Sequence, residues 1–122
     1  MLIVLTALFI SITCVPNGMD AQDVGDPKLS VTFEYSAPSA KAVYLAGQFN
    51  NWLDNESGKI KELPEWLMKK DDNGNWKITI KLQPGNYQYK FVVDGEWKTD
   101  PTNSEKADDG HGGYNSVKIV SK

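Results

Sequence analysis

Tyr87-Gln88-Tyr89-Lys90-Phe91-Val92-Val93-Asp94-Gly95-Glu96-Trp97 is the stretch that decides the fold of this chain. Tyr87, Tyr89, Phe91 and Val93 are large and apolar and fall at every second position. That is the period of a strand that buries one face. Asp94-Gly95 reads as a two-residue hairpin loop, and Pro84-Gly85 places another turn just ahead of the run. With that loop, Val93 faces Glu96, Val92 faces Trp97 and Lys90 faces Thr99. Directly opposed residues share a face of the sheet, as do residues two apart on one strand. Lys90, Val92 and Trp97 therefore lie together on one face. Tyr87, Tyr89, Phe91 and Val93 form the other, which reads as core.

The same period recurs on both sides of this hairpin. Leu29, Val31, Phe33 and Tyr35 alternate with Ser30, Thr32, Glu34 and Ser36, and Pro38 ends the run. Lys41 to Ala46 reads as a second strand. Trp66 to Lys70 reads as a short third, closed by Asp71-Asp72-Asn73-Gly74, where Asn-Gly is a hairpin signal. Trp76, Ile78, Ile80 and Leu82 alternate with polar residues, which makes Trp76 a core residue. Asn115 to Val120 is the last strand. No segment keeps helical spacing for ten residues. About seven short strands separated by turn signals predict an all-β fold, an antiparallel β-sandwich over residues 29–122. Leu53 to Glu65 and Pro101 to Gly113 read as long loops, a length that often accompanies function.

The chain has 122 residues, enough for one domain. Residues 1–21 read as an export signal, because Met1 to Val15 is almost wholly apolar and uncharged. The run is shorter than the roughly 20 residues of a membrane span. No lysine or arginine precedes it, and Met19 stands where a cleavage site before Gln22 favours a small residue. Cys14 is the single cysteine. With it removed, neither disulfide nor thiolate chemistry is left to the domain. Ser11-Ile12-Thr13-Cys14 partly matches the box at which bacterial lipoproteins are acylated. The expected location is thus periplasmic or secreted, with a lipid anchor through Cys14 as a variant. Residues 22–28 are a linker. Net charge is −3, and all thirteen basic residues are scattered lysines. That distribution lacks the clustered footprint of a nucleic-acid binder and the arginine forks that grip phosphate.

Val43-Tyr44-Leu45-Ala46-Gly47-Gln48-Phe49-Asn50-Asn51-Trp52 begins as a strand, breaks at glycine into amides and ends on tryptophan. Trp52 in a loop and Trp97 behind a turn offer flat apolar surfaces, and sugar rings are flat ligands. This run resembles the opening motif of the glycogen-binding domain in the β subunit of AMP-activated protein kinase. Pro84 to Trp97 resembles that domain's second motif. Asp100-Pro101 and Tyr114-Asn115-Ser116-Val117 resemble its third part. The similarity runs in order from Val31 to Val120. The resemblance is to carbohydrate-binding module family 48, an immunoglobulin-like (early-set) sandwich also found at the front of glycogen-branching and debranching enzymes.

The resemblance implies non-catalytic binding of α-1,4-glucan (glycogen, starch or malto-oligosaccharide) through Trp52, Lys90, Trp97 and Asn115. Covering about 100 Å² of each indole contributes on the order of 2.5 kcal/mol. Two such platforms, less the cost of association, give affinities from roughly millimolar to ten micromolar. Lys90 can donate to hydroxyls, and Asn115 can donate and accept. His111 stands near the place where the family carries an aliphatic loop residue. It could donate to or stack on sugar, although a lone loop histidine is more often solvated. The resemblance also admits a glucan-active enzyme as partner.

Other readings of the same residues are duller. Trp66 reads as structural rather than as part of the site, and Tyr114 is evenly balanced. Asp54, Glu56, Glu62, Glu65, Asp94, Glu96, Asp100, Asp108 and Asp109 supply carboxylates, but no spacing selects a glycosidase pair. Asp100 with Asp108-Asp109 lacks the spacing of a known calcium loop. No catalytic residue, metal or cofactor is therefore expected. The alternative function is a protein-interaction or accessory module that docks through the same aromatics without binding sugar itself.

Overall fold

The structure is a computed structural model describing residues 27–122. The expected export signal at 1–21, the lipid anchor at Cys14 and most of the 22–28 linker lie outside the described residues. Among the described residues, no helix is long and apolar enough to cross a membrane.

Among the described residues there are eight strands, most of them where alternation or a turn signal dictates. They are β1 (Leu29–Ser36), β2 (Val43–Gly47), β3 (Lys69–Lys70), β4 (Asn75–Leu82), β5 (Gly85–Val93), β6 (Glu96–Lys98), β7 (Lys106–Asp108) and β8 (Tyr114–Val120). One sheet has the order β1-β4-β3. The other runs β2-β5-β8-β7, with β6 also paired to β5. Every pairing is antiparallel. Phe33, Trp76 and Leu82 of the first sheet meet Val43, Leu45, Tyr89, Phe91 and Val120 of the second in one buried core. Phe33 and Phe91 each set a ring edge-on to Tyr89, at centroid distances of 4.9 and 5.6 Å. The fold is thus an antiparallel β-sandwich, as the alternation predicts. Trp76 is buried in this core, with its indole N–H donating to the Ala37 carbonyl at 2.9 Å.

The β5–β6 hairpin has the expected register, with Val93 opposite Glu96 and Val92 opposite Trp97. Asp94 (φ 49°) and Gly95 (φ 89°) occupy the left-handed region that a two-residue turn of this kind needs. Asp94 also uses its carboxylate to cap the backbone N–H groups of Lys41 and Ala42, both at 2.9 Å. The β3–β4 hairpin closes more loosely than Asn73-Gly74 alone suggests. Gly74 N–H donates to the Asp71 carbonyl, and Asp71 N–H donates to the Asn75 carbonyl. The loop is therefore three residues, with Gly74 at φ 83° in the left-handed position. A Cβ at Gly74 would also lie 2.7 Å from Pro38.

Three expectations need correction. The strand expected over Trp66–Lys70 shrinks to Lys69–Lys70, because Pro64 starts a short 3-10 turn (Pro64–Trp66) that takes up Trp66. The expected loop Pro101–Gly113 contains strand β7, a short edge strand whose single apolar residue, Ala107, gives no alternation to read. The expected loop Leu53–Glu65 is not a free excursion. It folds back over the outer face of the second sheet, where Leu53 packs with Ala46 and Val92 in a second buried cluster. Val92 lies on the outward side, as its register requires, yet it is almost fully buried for that reason.

Candidate functional site

Strand β5 changes partners along one edge. Gly85 to Tyr89 pair with β8, and Phe91 to Val93 pair with β6. Lys90 sits at the handover, with Ala46 of β2 opposite it on the other edge. Strand period turns Gln88, Lys90 and Val92 to the outer face. The same rule sends Asn115 outward, since Ser116 next to it is fully buried towards the core.

Above this point lies a groove of about 660 Å³. Trp52, Lys90, Trp97, Asn115 and His111 all line it, so the structure brings together all five residues expected from the sequence. Trp66 stands elsewhere and stacks on Phe49 at 5.7 Å, a packing role. Tyr114 is exposed and does not line the groove.

Each side chain is held by a named neighbour. Trp97 donates its indole N–H to the Gly58 carbonyl at 2.7 Å, which fixes the ring's rotation. Trp52 rides on a turn built by Asn50. The Asn50 carboxamide oxygen accepts from Gly47 N–H and Leu53 N–H, and its NH₂ donates to the Leu45 carbonyl. The two indoles stand 6.4 Å apart with a 48° angle between their planes. Both are half-buried against Ala46, Leu53 and Val92, which leaves only part of each ring open.

Lys90 is not a free ammonium. Its Nζ lies 3.2 Å from Asp109 Oδ2, and the two side chains are only 17% and 13% exposed. The other oxygen of Asp109 accepts the backbone N–H groups of His111 at 2.7 Å and Gly113 at 3.1 Å. These two N–H bonds, with Lys90 adding to them, pull the Asp109 carboxyl down from 3.8 to about 2. The loop that carries His111 is thereby tied to the groove floor. Asn115, 9% exposed, donates from its NH₂ to Gln88 Oε1 at 2.9 Å. That bond fixes the amide's orientation and leaves Asn115 Oδ1 as an acceptor without a partner among the described residues. Gln48 accepts the Gln88 backbone N–H at 2.8 Å.

Sequence reasoning missed Gln48, Asn55, Ser57, Gly58, Gln88, Asp108 and Asp109, all of which line the groove. Gln88 carried a usable signal, since it stands two residues before Lys90 on the same strand face. Asp109 and Gly58 carried none, because only the folded loops bring them there. Asp100 lies apart: it is buried and accepts from the Tyr89 hydroxyl at 2.7 Å and from Thr102. Among the described residues, no three or more His, Cys, Asp or Glu side chains are grouped so as to hold a metal ion.

Comparison with known proteins bears on the family and the fold. Residues 29–122 match the family described as the glycogen recognition site of AMP-activated protein kinase. Protein PTST homolog 2, a chloroplastic protein of Arabidopsis thaliana, is 41% identical over 63 residues, which are 52% of this chain and 10% of that protein. The 5'-AMP-activated protein kinase subunit beta-1 of Mus musculus is 33% identical over 86 residues, 70% of this chain and 27% of the subunit. This chain thus spans only about a tenth to a quarter of these relatives. Among solved structures, the maltogenic amylase of S. marinus shares the fold, with a TM-score of 0.56 at 23% identity over 78% of this chain and 14% of that one. With almost the whole described region matched, the chain belongs to the family of the AMP-activated protein kinase glycogen recognition site.

Proposed function

We propose that the groove binds α-1,4-linked glucan without cleaving it. The observation that carries this reading is the pair of indoles, Trp52 and Trp97, set 6.4 Å apart at 48° to one another beside Lys90 and Asn115. A straight β-linked chain presents its ring faces in parallel and suits coplanar platforms. An α-1,4 chain curves, so successive rings present tilted faces, which suits tilted platforms. In this reading the open part of each indole stacks on a ring face. Lys90 keeps donors beyond the one spent on Asp109, and the Asn115 Oδ1 acceptor stands near them. Donor and acceptor together match neighbouring hydroxyls on one pyranose. Because the indoles are half-buried, the stacking area is smaller than two free rings would offer. The affinity is accordingly expected towards the weak end of the range above, about millimolar.

The test is retardation of the purified domain in native gels containing glycogen, soluble starch or a β-glucan. Retardation is expected in the first two and not in the third. Trp52→Ala and Trp97→Ala should each abolish it, with far-UV circular dichroism showing the fold retained. A wild-type domain that runs unretarded in glycogen would overturn sugar binding and favour the protein-docking alternative. Release of reducing sugar by the pure protein would overturn the non-catalytic reading. We further propose that the domain acts alone or as an accessory to a glucan-active enzyme.

A further inference from the structure

The charged side chains that line the groove are Lys90, Asp108 and Asp109, with His111 beside them. Counted with the histidine neutral, they sum to one negative charge. The single groove cation is already neutralised, since Lys90 Nζ sits 3.2 Å from Asp109 Oδ2 and both groups are largely shielded from water. Asp108 is left as the uncompensated charge, with its Oδ1 turned onto the Gly110 N–H at 2.7 Å. A lysine alone at this place would serve as a point-charge partner for phosphate. Asp109 removes that option.

We propose that Asp109 is a positioning residue that makes the groove selective for unphosphorylated glucan over chains carrying phosphate monoesters. This rests on the groove being a glucan site. A phosphate monoester carries a charge of about −1.5 to −2 near neutral pH. It would enter a groove that is net negative, with no free cation to receive it, and within a Debye length of both carboxylates. Neutral hydroxyls meet no such barrier. They use the remaining Lys90 donors and the Asn115 acceptor as they stand.

The experiment is titration calorimetry of the wild-type domain with malto-oligosaccharides of one length, unphosphorylated or bearing a single 6-phosphate, at low and high salt. The readout is the ratio of the two dissociation constants, which does not depend on how much any substitution alters binding overall. The wild type is expected to favour the neutral chain by about ten-fold at low salt, with the preference shrinking as salt rises. Asp109→Asn keeps an oxygen for the His111 and Gly113 N–H groups while releasing Lys90, and should bring the ratio to about one or reverse it. Adding Lys90→Met to that variant should restore the preference, an outcome that a merely structural role of Asp109 would not produce. Equal binding of both chains by the wild type overturns the inference, as does a ratio that Asp109→Asn leaves unchanged. If the wild type binds neither chain, the glucan reading itself fails and this inference falls with it.

Discussion

At the scale of the residue, Asp100 shows how a motif position acts through structure rather than chemistry. Its carboxylate is buried and fully employed. Oδ2 accepts the Tyr89 hydroxyl at 2.7 Å, and Oδ1 accepts both the N–H and the hydroxyl of Thr102. Its backbone N–H donates to Ser116 Oγ at 2.8 Å. One residue therefore ties β5 and the start of the following loop through its carboxylate, and β8 through its backbone N–H. Burial pushes the Tyr89 hydroxyl well above its ordinary range. Tyr89→Phe leaves a buried carboxylate oxygen short of its donor and should lower stability by about 1–3 kcal/mol in urea unfolding. The raised hydroxyl also gives a sign. The folded state keeps its proton where the unfolded tyrosine, near 10, has lost it. Wild-type stability should thus fall as pH rises beyond about 10, and the phenylalanine variant should lack that component.

At the scale of the element, the turn that presents Trp52 is under strain. Asn51, Trp52, Leu53 and Asp54 run consecutively at φ 54°, 54°, 57° and 47°, a short left-handed stretch. Such a conformation costs about 1–2 kcal/mol per residue for side chains other than glycine, less for Asn and Asp. Two features offset it. Leu53 is fully buried beneath the turn, and the Asn50 amide bonds three backbone groups around it. Asn51 adds a bond to Asp54 at 2.7 Å. Leu53→Ala should cost about 2–5 kcal/mol in a thermal or urea melt. Glucan retardation should weaken with it even where the domain stays folded, because Trp52 loses its anchor. Leu53→Met, which conserves volume, should keep both. The amides and tryptophan of this turn were visible in the sequence as a break in strand character. The left-handed path was not, because nothing in Trp-Leu favours it locally. Burial of Leu53 against Ala46 and Val92 selects it, together with the Asn50 amide bonds.

At the scale of the whole molecule, two capped turns should contribute to the acid sensitivity of the fold. The Asp109 carboxyl is held at about 2 by the His111 and Gly113 N–H groups and by Lys90. The Asp71 carboxyl is lowered by the N–H groups of Asn75 and Asn73 and by Lys77. A lowered folded value means that stabilisation is complete above the unfolded value near 4 and is lost as pH falls through the folded one. The melting temperature should hold steady down to about pH 4 and drop between about 4 and 2, and Asp109→Asn should make that drop shallower. Much of the architecture was legible beforehand. Alternation in β1, β4, β5 and β8 assigns each side chain to a face, and the Asp94-Gly95 turn fixes a register. From these, Lys90 and Trp97 follow as neighbours on one face by geometry that involves only nearby residues. Trp52 and Asn115 could be added only by likeness to known motifs. Tertiary structure alone decided what covers that face. Gly58 holds Trp97 from 39 residues away and Asp109 holds Lys90 from 19. A period of two records which way a side chain points. It carries no record of which distant loop will meet it, because that depends on how the sheets close and where each connection is then forced to run.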